Sequence, residues 1–213
     1  MSVAVKICGL STADTVEAAL AHGADFIGLN FYPPSPRYVT PEKAGALADL
    51  ARGRTKIVAL AVDADDALIA AIARAVKPDY LQLHGNETPA RVAAVAALTG
   101  RPVIKAIRVG GPEDVARATD YVGVAEFLLF DAKAPASLRN ALPGGNGIAF
   151  DWSLLEGRHG FMLSGGLTPD NVAAAIAVTG AAMVDASSGI ERAPGVKDPE
   201  LIRKFIERAK SAS

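Results

Sequence analysis

One cysteine and one aspartate stand at the ends of two apolar runs and could work together as a base and an acid. Cys8 closes the run 3–8, and Asp131 closes the run 127–131. A thiol acts as a base when a nearby cation draws its pKa toward neutrality, and Lys6 is a candidate for that cation. A carboxyl group acts as an acid when it is held partly protonated. Taken alone, each residue could equally be structural, as a small buried hydrophobe or a turn residue.

Three glycine-rich stretches late in the chain have the composition of phosphate-binding loops. They cover residues 143–147, 164–166 and 187–189, and the last two directly follow apolar runs. Glycine lets the backbone approach an anion closely, and backbone N–H groups can bind a phosphate without a cation. Any one stretch could be an ordinary loop. Two of them, however, occupy the places where barrel enzymes often bind phosphate, so the set predicts a phosphorylated ligand.

Two further polar side chains follow the second and the fourth apolar runs. Arg37 lies in a loop that three prolines stiffen, and its guanidinium suits a carboxylate. His84 follows the run 80–83, and we interpret it as an orienting residue rather than a proton-transfer residue. The alternatives are a solvated loop charge for Arg37 and a satisfied structural histidine for His84.

Short apolar runs alternate along the chain with alanine-rich segments of helical period. Thr-Pro pairs at 40–41, 88–89 and 168–169 predict helix starts, each with the threonine as N-cap. The predicted strands begin at Val3, Phe26, Lys56, Tyr80, Pro102, Phe127, Phe161 and Ala182. The predicted helices cover residues 13–21, 41–51, 65–75, 89–97, 112–118, 151–156, 170–178 and 199–209.

Eight strand–helix units in 213 residues amount to roughly 27 residues per unit, which is typical of a compact (βα)8 barrel. We therefore predict an α/β fold, a single TIM-barrel domain over residues 1–213 with a closed parallel eight-stranded sheet. An open doubly wound sheet is the alternative. The glycine fingerprint that such a sheet usually carries after its first strand is absent, because Cys8-Gly9-Leu10 stands there.

Alternation along each predicted strand sorts the side chains into an inward and an outward face. Apolar residues on one face of strands one, four and six are expected to pack on the helices. The polar residues expected inside the barrel are Lys6, Cys8, Gln82, His84, Lys105 and Asp131. Because closure makes the first and last strands neighbours, we expect Lys6 to find a carboxylate partner in Asp185.

Composition excludes several function classes. The net charge is -1 and no basic block occurs, so we expect neither nucleic acid nor an anionic membrane as a partner. No run approaches the ~20 apolar residues of a membrane helix, and no signal peptide is apparent. A single cysteine fits a reducing compartment, and we expect a cytoplasmic protein. No His, Cys, Asp and Glu cluster has metal-ligand spacing.

The motifs together resemble those of the phosphoribosylanthranilate isomerases in order and spacing. The resemblance runs from Lys6 to Asp198 and is carried by VKICGL, GLNFYPPSPRYV, LQLHGNE, FLLFDAK, GGNGIAFDW, LSGGLTPDNV and VDASSGIERAPGVKD. It implies a (βα)8 barrel without a cofactor. It also implies an Amadori rearrangement of N-(5-phosphoribosyl)anthranilate to 1-(2-carboxyphenylamino)-1-deoxyribulose 5-phosphate in tryptophan biosynthesis.

The resemblance implies a role for each matching residue. Cys8 matches the general base, Asp131 the general acid, and Arg37 the arginine that contacts the anthranilate carboxylate. Asn146 replaces the small hydroxyl residue usual in the first phosphate loop, which puts a side-chain contact there in doubt and leaves the backbone role. The predicted substrate-binding residues are Arg37, His84, Gly145, Asn146, Gly147, Gly165, Gly166, Ser188 and Gly189.

Two alternatives stay open at this point. Another phosphate-binding barrel enzyme, similar to indole-glycerol-phosphate synthase or an aldolase, would use a lysine, and Lys6 and Lys105 are the inward candidates. A non-catalytic barrel that binds a phosphorylated ligand is the other alternative. The sequence leaves the choice between a monomer and a homodimer open.

Overall fold

The computed structural model describes residues 3–135, 137 and 141–212 of the chain. Eight parallel strands pair in chain order and close into one barrel, as predicted. Each strand is short and almost wholly buried, which suits a parallel barrel that helices cover on the outside. The strands are β1 (Ala4–Cys8), β2 (Phe26–Asn30), β3 (Lys56–Ala61), β4 (Tyr80–Leu83), β5 (Val103–Val109), β6 (Phe127–Ala132), β7 (Phe161–Leu163) and β8 (Met183–Ala186).

Helices follow most strands, and the Thr-Pro signals mark two of their starts. Thr40 and Thr88 each accept a hydrogen bond from the backbone N–H three residues on, which satisfies a donor that the helix leaves unpaired. The α-helices are α1 (Ala13–Ala21), α2 (Pro41–Ala51), α3 (Asp66–Val76), α4 (Pro89–Thr99), α5 (Pro112–Ala116), α6 (Val172–Thr179) and α7 (Pro199–Ser211).

The prediction for Thr168 was wrong. Helix α6 begins at Val172, and Asn171 is its N-cap. Asn171 instead ties the preceding loop together, because it accepts from the N–H of Thr168 at 2.8 Å and donates to the carbonyl of Gly166 at 3.0 Å. The segment predicted as a helix over 151–156 forms a 3-10 turn, Trp152–Leu155. A short antiparallel pair was not predicted: β9 (Glu191–Ala193) and β10 (Val196–Lys197).

Apolar side chains form two layers, one on each side of the barrel wall. The outer layer packs the strands on the helices and contains Val5, Ile7, Leu81, Leu83 and Phe130. The smaller inner layer fills the barrel and consists of Phe26, Val58, Ile104, Ala106, Leu129 and Met162. The predicted facing of strands one, four and six is therefore confirmed.

Lys105 does not point into the barrel, so that prediction was wrong. Its β5 neighbours Ile104 and Ala106 belong to the inner layer, and alternation turns Lys105 outward. Its ammonium group donates to the carboxylate of Glu87 at 2.8 Å and to the carbonyls of Leu83 and Gly85 at 3.3 and 2.9 Å. These acceptors at the end of β4 satisfy a buried charge outside the barrel.

Candidate active site

A cavity opens at the carboxyl end of the strands. It joins β1, β2, β4 and β6 with the loops that follow β6, β7 and β8, which is where barrel enzymes assemble their sites. Among the predicted site residues, its walls contain Cys8, Arg37, His84, Asp131, Gly145, Asn146, Gly165, Gly166 and Ser188. Gly147 lines an adjoining groove together with Ser188. Gly189 lines neither space, and a β-carbon at this position would overlap the carbonyl oxygen of Leu167.

Cys8 ends β1 with its thiol in the cavity. The side chain is 5% exposed, and Gly28 on β2 leaves room for it: a β-carbon at Gly28 would lie 2.8 Å from the sulfur. Burial raises the pKa of the Cys8 thiol above its ordinary value, because the thiolate loses its hydration. The positive charges of Lys6 and Lys197 oppose this rise without cancelling it.

Lys6 pairs with Asp185, as predicted, across the seam where β1 meets β8. Its Nζ lies 2.8 Å from Asp185 Oδ1, and the other carboxylate oxygen of Asp185 accepts from the Ser164 hydroxyl at 3.1 Å. Burial disfavours the charge on Lys6, but attraction to Asp185 and to Cys8 outweighs burial and raises the pKa of Lys6. The charged ammonium group of Lys6 therefore lies one side-chain layer deeper in the barrel than the Cys8 thiol.

Asp131 ends β6 and belongs to a buried chain of three side chains. Its Oδ2 lies 3.0 Å from His84 Nε2, and His84 Nδ1 lies 3.0 Å from Gln82 Nε2. Its Oδ1 accepts from the backbone N–H of Ala132 at 2.9 Å. His84 thus contacts the candidate acid directly, which agrees with an orienting role for its imidazole.

The loop after β6 crosses the cavity mouth with glycine at its two closest approaches. A β-carbon at Gly144 would lie 2.6 Å from Asp131 Oδ2 and 2.7 Å from His84 Nε2. A β-carbon at Gly145 would lie 2.5 Å from Arg37 Nη1. Only a residue without a side chain fits at either place without displacing these groups.

Arg37 is buried and held by an ion pair that the sequence did not suggest. Its Nε and Nη2 donate to the two carboxylate oxygens of Glu191 at 2.7 and 2.9 Å, and Nη2 also donates to the carbonyl of Gly145 at 3.2 Å. Glu191 accepts in turn from Lys197 at 2.7 Å. Within the part of the chain that the structure describes, Arg37 Nη1 donates no hydrogen bond and so stays available to a ligand.

The pKa values of Glu191 and Lys197, which lie beside Arg37, are both shifted from their ordinary values. The pKa of Glu191 lies below its ordinary value. Burial alone would raise this pKa, but the hydrogen bond from Arg37 and the positive charge of Lys197 outweigh burial. Burial lowers the pKa of Lys197 to about 8 despite its contact with Glu191. Glu191 and Lys197 lie on the β9–β10 pair, which residue spacing did not predict, so their position beside Arg37 could not be predicted either.

The glycine-rich loops present unpaired backbone donors. The N–H groups of Gly145, Gly147, Gly165, Gly166, Ser188 and Gly189 donate no backbone hydrogen bond to the described residues. The loops after β6 and β7 also touch, because a β-carbon at Gly166 would lie 2.7 Å from the carbonyl carbon of Ile148. Free N–H groups from three loops are typical of a site that binds an anion through the backbone.

Asn146 uses its side chain within its own loop. The amide accepts from the N–H of Leu142 at 3.0 Å and donates to the carbonyl of Leu142 at 2.7 Å. A side chain engaged in this way is not available to a phosphate. The Asn146 side chain therefore closes the loop, and only its backbone is left to contact an anion.

Neither a metal site nor a membrane-spanning helix occurs among the described residues. No group of three or more His, Cys, Asp or Glu side chains could hold a metal ion in the described ranges. Over the same ranges, no helix is long and apolar enough to span a membrane.

Curated relatives match the chain over its whole length. An N-(5'-phosphoribosyl)anthranilate isomerase from Parvibaculum lavamentivorans is 52% identical and covers 100% of both chains. One from Rhodopseudomonas palustris is 54% identical and covers 99% of this chain and 97% of its own length.

Solved structures of such isomerases share the fold. The Thermotoga maritima enzyme superposes with a TM-score of 0.87 at 36% identity, over 98% of this chain and 99% of its own. A phosphoribosyl anthranilate isomerase in complex with reduced 1-(o-carboxyphenylamino)-1-deoxyribulose 5-phosphate gives 0.84 at 34% identity, over 98% and 99%. The model of the N-(5'-phosphoribosyl)anthranilate (PRA) isomerase family matches residues 5–208, and the chain belongs to that family.

Proposed function

We propose that the chain isomerises N-(5'-phosphoribosyl)anthranilate, with Cys8 as the general base and Asp131 as the general acid. One observation carries this proposal: both side chains line a single cavity together with Arg37 and with glycine-rich loops whose backbone N–H groups are free. A substrate with a phosphate at one end and a carboxylate at the other needs those two binding groups. The reacting carbons would then lie between the base and the acid.

The reaction requires two proton transfers. The Asp131 carboxyl group gives a proton to the ring oxygen of the furanose, the C1–O bond breaks, and an open-chain Schiff base forms. The Cys8 thiolate then removes the proton from C2 of the sugar, and its electron pair moves to give the enolamine. The enolamine tautomerises to the ketone, with a proton lost from the C2 hydroxyl and one gained at C1. Solvent restores the proton to Asp131 and takes it from Cys8.

Binding follows from the two anion sites. The backbone of Gly145, Asn146, Gly147, Gly165, Gly166, Ser188 and Gly189 binds the phosphate. Arg37 binds the anthranilate carboxylate through Nη1, while Glu191 holds the other side of its guanidinium. His84 orients Asp131 through their contact of 3.0 Å.

The loss of substrate fluorescence during turnover by purified protein tests the proposal. We expect Cys8→Ala and Asp131→Asn each to lower kcat by at least about 10³-fold, since each removes an essential proton-transfer group. Far-UV circular dichroism and the Kd for the product should stay close to those of the unaltered protein. Full turnover by either variant would remove that residue from the mechanism.

The lysine-dependent alternatives receive no support from the arrangement of the lysines. Lys105 lies outside the barrel, and Lys6 is fully buried in its pair with Asp185. Borohydride treatment in the presence of substrate would trap a Schiff-base lysine covalently. We expect no such adduct, and a stable lysine adduct would favour an aldolase-like reaction instead.

The chain is proposed to act as a single domain, in the cytoplasm, without a nucleic-acid or membrane partner. Its single cysteine, net charge of -1 and lack of a basic block support this setting. The chain is proposed to be either a monomer or a homodimer. Both states occur in a relative, since a solved structure from Thermotoga maritima is that of monomers generated from a dimeric isomerase. Light scattering on the purified chain decides between the two.

A further inference from the structure

The buried amide of Gln82 lies inside the barrel next to His84. The side chain is 0% exposed, and its Nε2 lies 3.0 Å from His84 Nδ1. Its Oε1 is buried and has no hydrogen-bond partner among the described residues. A buried polar atom without a partner is costly, so its presence in the middle of an enzyme barrel calls for an explanation.

The surroundings of Gln82 do not fix which way its amide points. Its neighbours at the same level of the barrel are Leu60 on β3 and Ile104 on β5, which are both apolar. The oxygen and the nitrogen of an amide exchange places on a half-turn with little change in shape. Because the far atom lacks a partner in either orientation, the contact with His84 alone decides between them.

Each orientation permits a different number of protons on the His84–Asp131 pair. With Nε2 toward His84, the amide donates to Nδ1, so the imidazole carries its single proton on Nε2 and donates it to the Asp131 carboxylate. With Oε1 toward His84, Nδ1 carries a proton and donates it to the amide. A second proton then lies between His84 Nε2 and Asp131 Oδ2, available for transfer.

We propose that the Gln82 amide rotates by a half-turn when the His84–Asp131 pair gains or loses its second proton. Gln82 is then a positioning residue for the Asp131 acid. The inference rests on the proposed function of Asp131. The second proton comes from solvent before ring opening and passes from Asp131 to the ring oxygen of the sugar. An amide fixed with Nε2 toward Nδ1 would oppose its uptake, because an N–H would then face an N–H.

Other titratable and charged side chains lie around the pair and must stay constant in any test. Cys8, Tyr32, Arg37 and Asp185 line the same cavity, Lys6 lies one layer further in, and Glu87 and Lys105 pair just outside the end of β4. Of the polar groups around the pair, the variants therefore alter only Gln82. Gln82→Glu supplies an acceptor alone, and Gln82→Met supplies a similar shape with neither donor nor acceptor.

Nitrogen NMR of His84 tests the inference without substrate. Replacing the two exposed histidines, His22→Gln and His159→Gln, leaves His84 as the only imidazole in the spectrum. We expect the parent to show Nδ1 unprotonated at high pH and protonated as the pH falls. In Gln82→Glu, Nδ1 should stay protonated to a pH higher by about one unit or more, since the new carboxylate accepts its proton. Ile104→Met, at the same level of the barrel, should leave the His84 spectrum unchanged.

Turnover provides the second measurement. The proton of the acid is lost as the pH rises, so the alkaline fall of kcat should move upward by about one pH unit in Gln82→Glu. Gln82→Met should lower kcat about tenfold with KM little changed. If Gln82 had only a structural role, its substitutions would lower the melting temperature but leave both the Nδ1 titration and the alkaline fall of kcat in place. That result would overturn the inference. If instead Asp131→Asn retained activity while the NMR result held, the acid assignment would fail and the proton coupling would stand.

Discussion

Lys197 is the residue whose charge most directly links pH to the thiol of Cys8. Its ammonium helps to lower the thiol pKa that burial raises, and its own pKa lies near 8. Below about pH 8, Lys197 is charged and favours the thiolate, whereas above that pH it is largely neutral and the effect fades. The base therefore receives most help from Lys197 in the neutral range.

Lys197→Met should consequently reduce kcat/KM roughly three- to tenfold at pH 7 and progressively less as the pH rises through 8. Steady-state rates across pH 6.5–9.5 measure this gap. Lys204→Met, which removes an exposed lysine of α7, is the control and should give parallel profiles. A deficit that stays constant over the whole range would indicate that Lys197 acts through packing and not through charge.

Residue placement was predictable wherever one face of a strand was apolar and the other polar. Lys6 and Cys8 alternate with Val5 and Ile7, so both faces of β1 could be assigned. In β5, both faces carry apolar residues, and the ammonium of Lys105 finds its acceptors outside the barrel. Alternation along β5 therefore could not show which way Lys105 points, because its hydrogen-bond acceptors lie at the end of β4 and in the loop after it.

At the scale of elements, helix starts test how far local signals determine structure. Thr88 caps α4. Thr168 has the same Thr-Pro sequence, but among the described residues its hydroxyl accepts only from the N–H of Asp170, at 3.2 Å. We expect Thr88→Ala to lower the free energy of unfolding by about 1 kcal/mol. Thr168→Ala should cost less than half as much. Urea denaturation measures both, and equal losses would mean that the capping bond is not the source of the effect.

The loop after β6 lets activity be separated from stability. Gly144→Ala puts a methyl group against Asp131 and His84, so we expect kcat/KM to fall about 10²-fold with the unfolding midpoint nearly unchanged. Gly157→Ala is the control with the opposite expectation. Nothing lies within 4 Å of the new methyl group, but the backbone φ of 74° is strained for alanine. It should lose roughly 1 kcal/mol of stability and keep its activity. Reduced activity in Gly157→Ala, or none lost in Gly144→Ala, would contradict this assignment.

At the scale of the whole molecule, eight repeated units predicted a closed barrel, and closure itself predicted the contact between Lys6 and Asp185. The repeats did not predict β9 and β10, because two strands of three and two residues are too short to leave a periodic pattern. The pair nevertheless brings Glu191 and Lys197 beside Arg37. Parts of the site that depend on such short irregular segments require the structure.

The β1–β8 seam allows the contribution of closure to be measured. Lys6 and Asp185 are both buried, so Lys6→Met leaves a carboxylate with one hydroxyl donor and should cost about 3–5 kcal/mol of unfolding free energy. Asp185→Asn leaves an unpaired ammonium and should cost a similar amount. The double variant removes both charges together and should be no less stable than either single variant, since neither charge is then stranded. Denaturant titration of the four proteins gives the coupling energy. Strictly additive losses would show that the two residues stabilise the barrel independently, although their side chains meet at 2.8 Å.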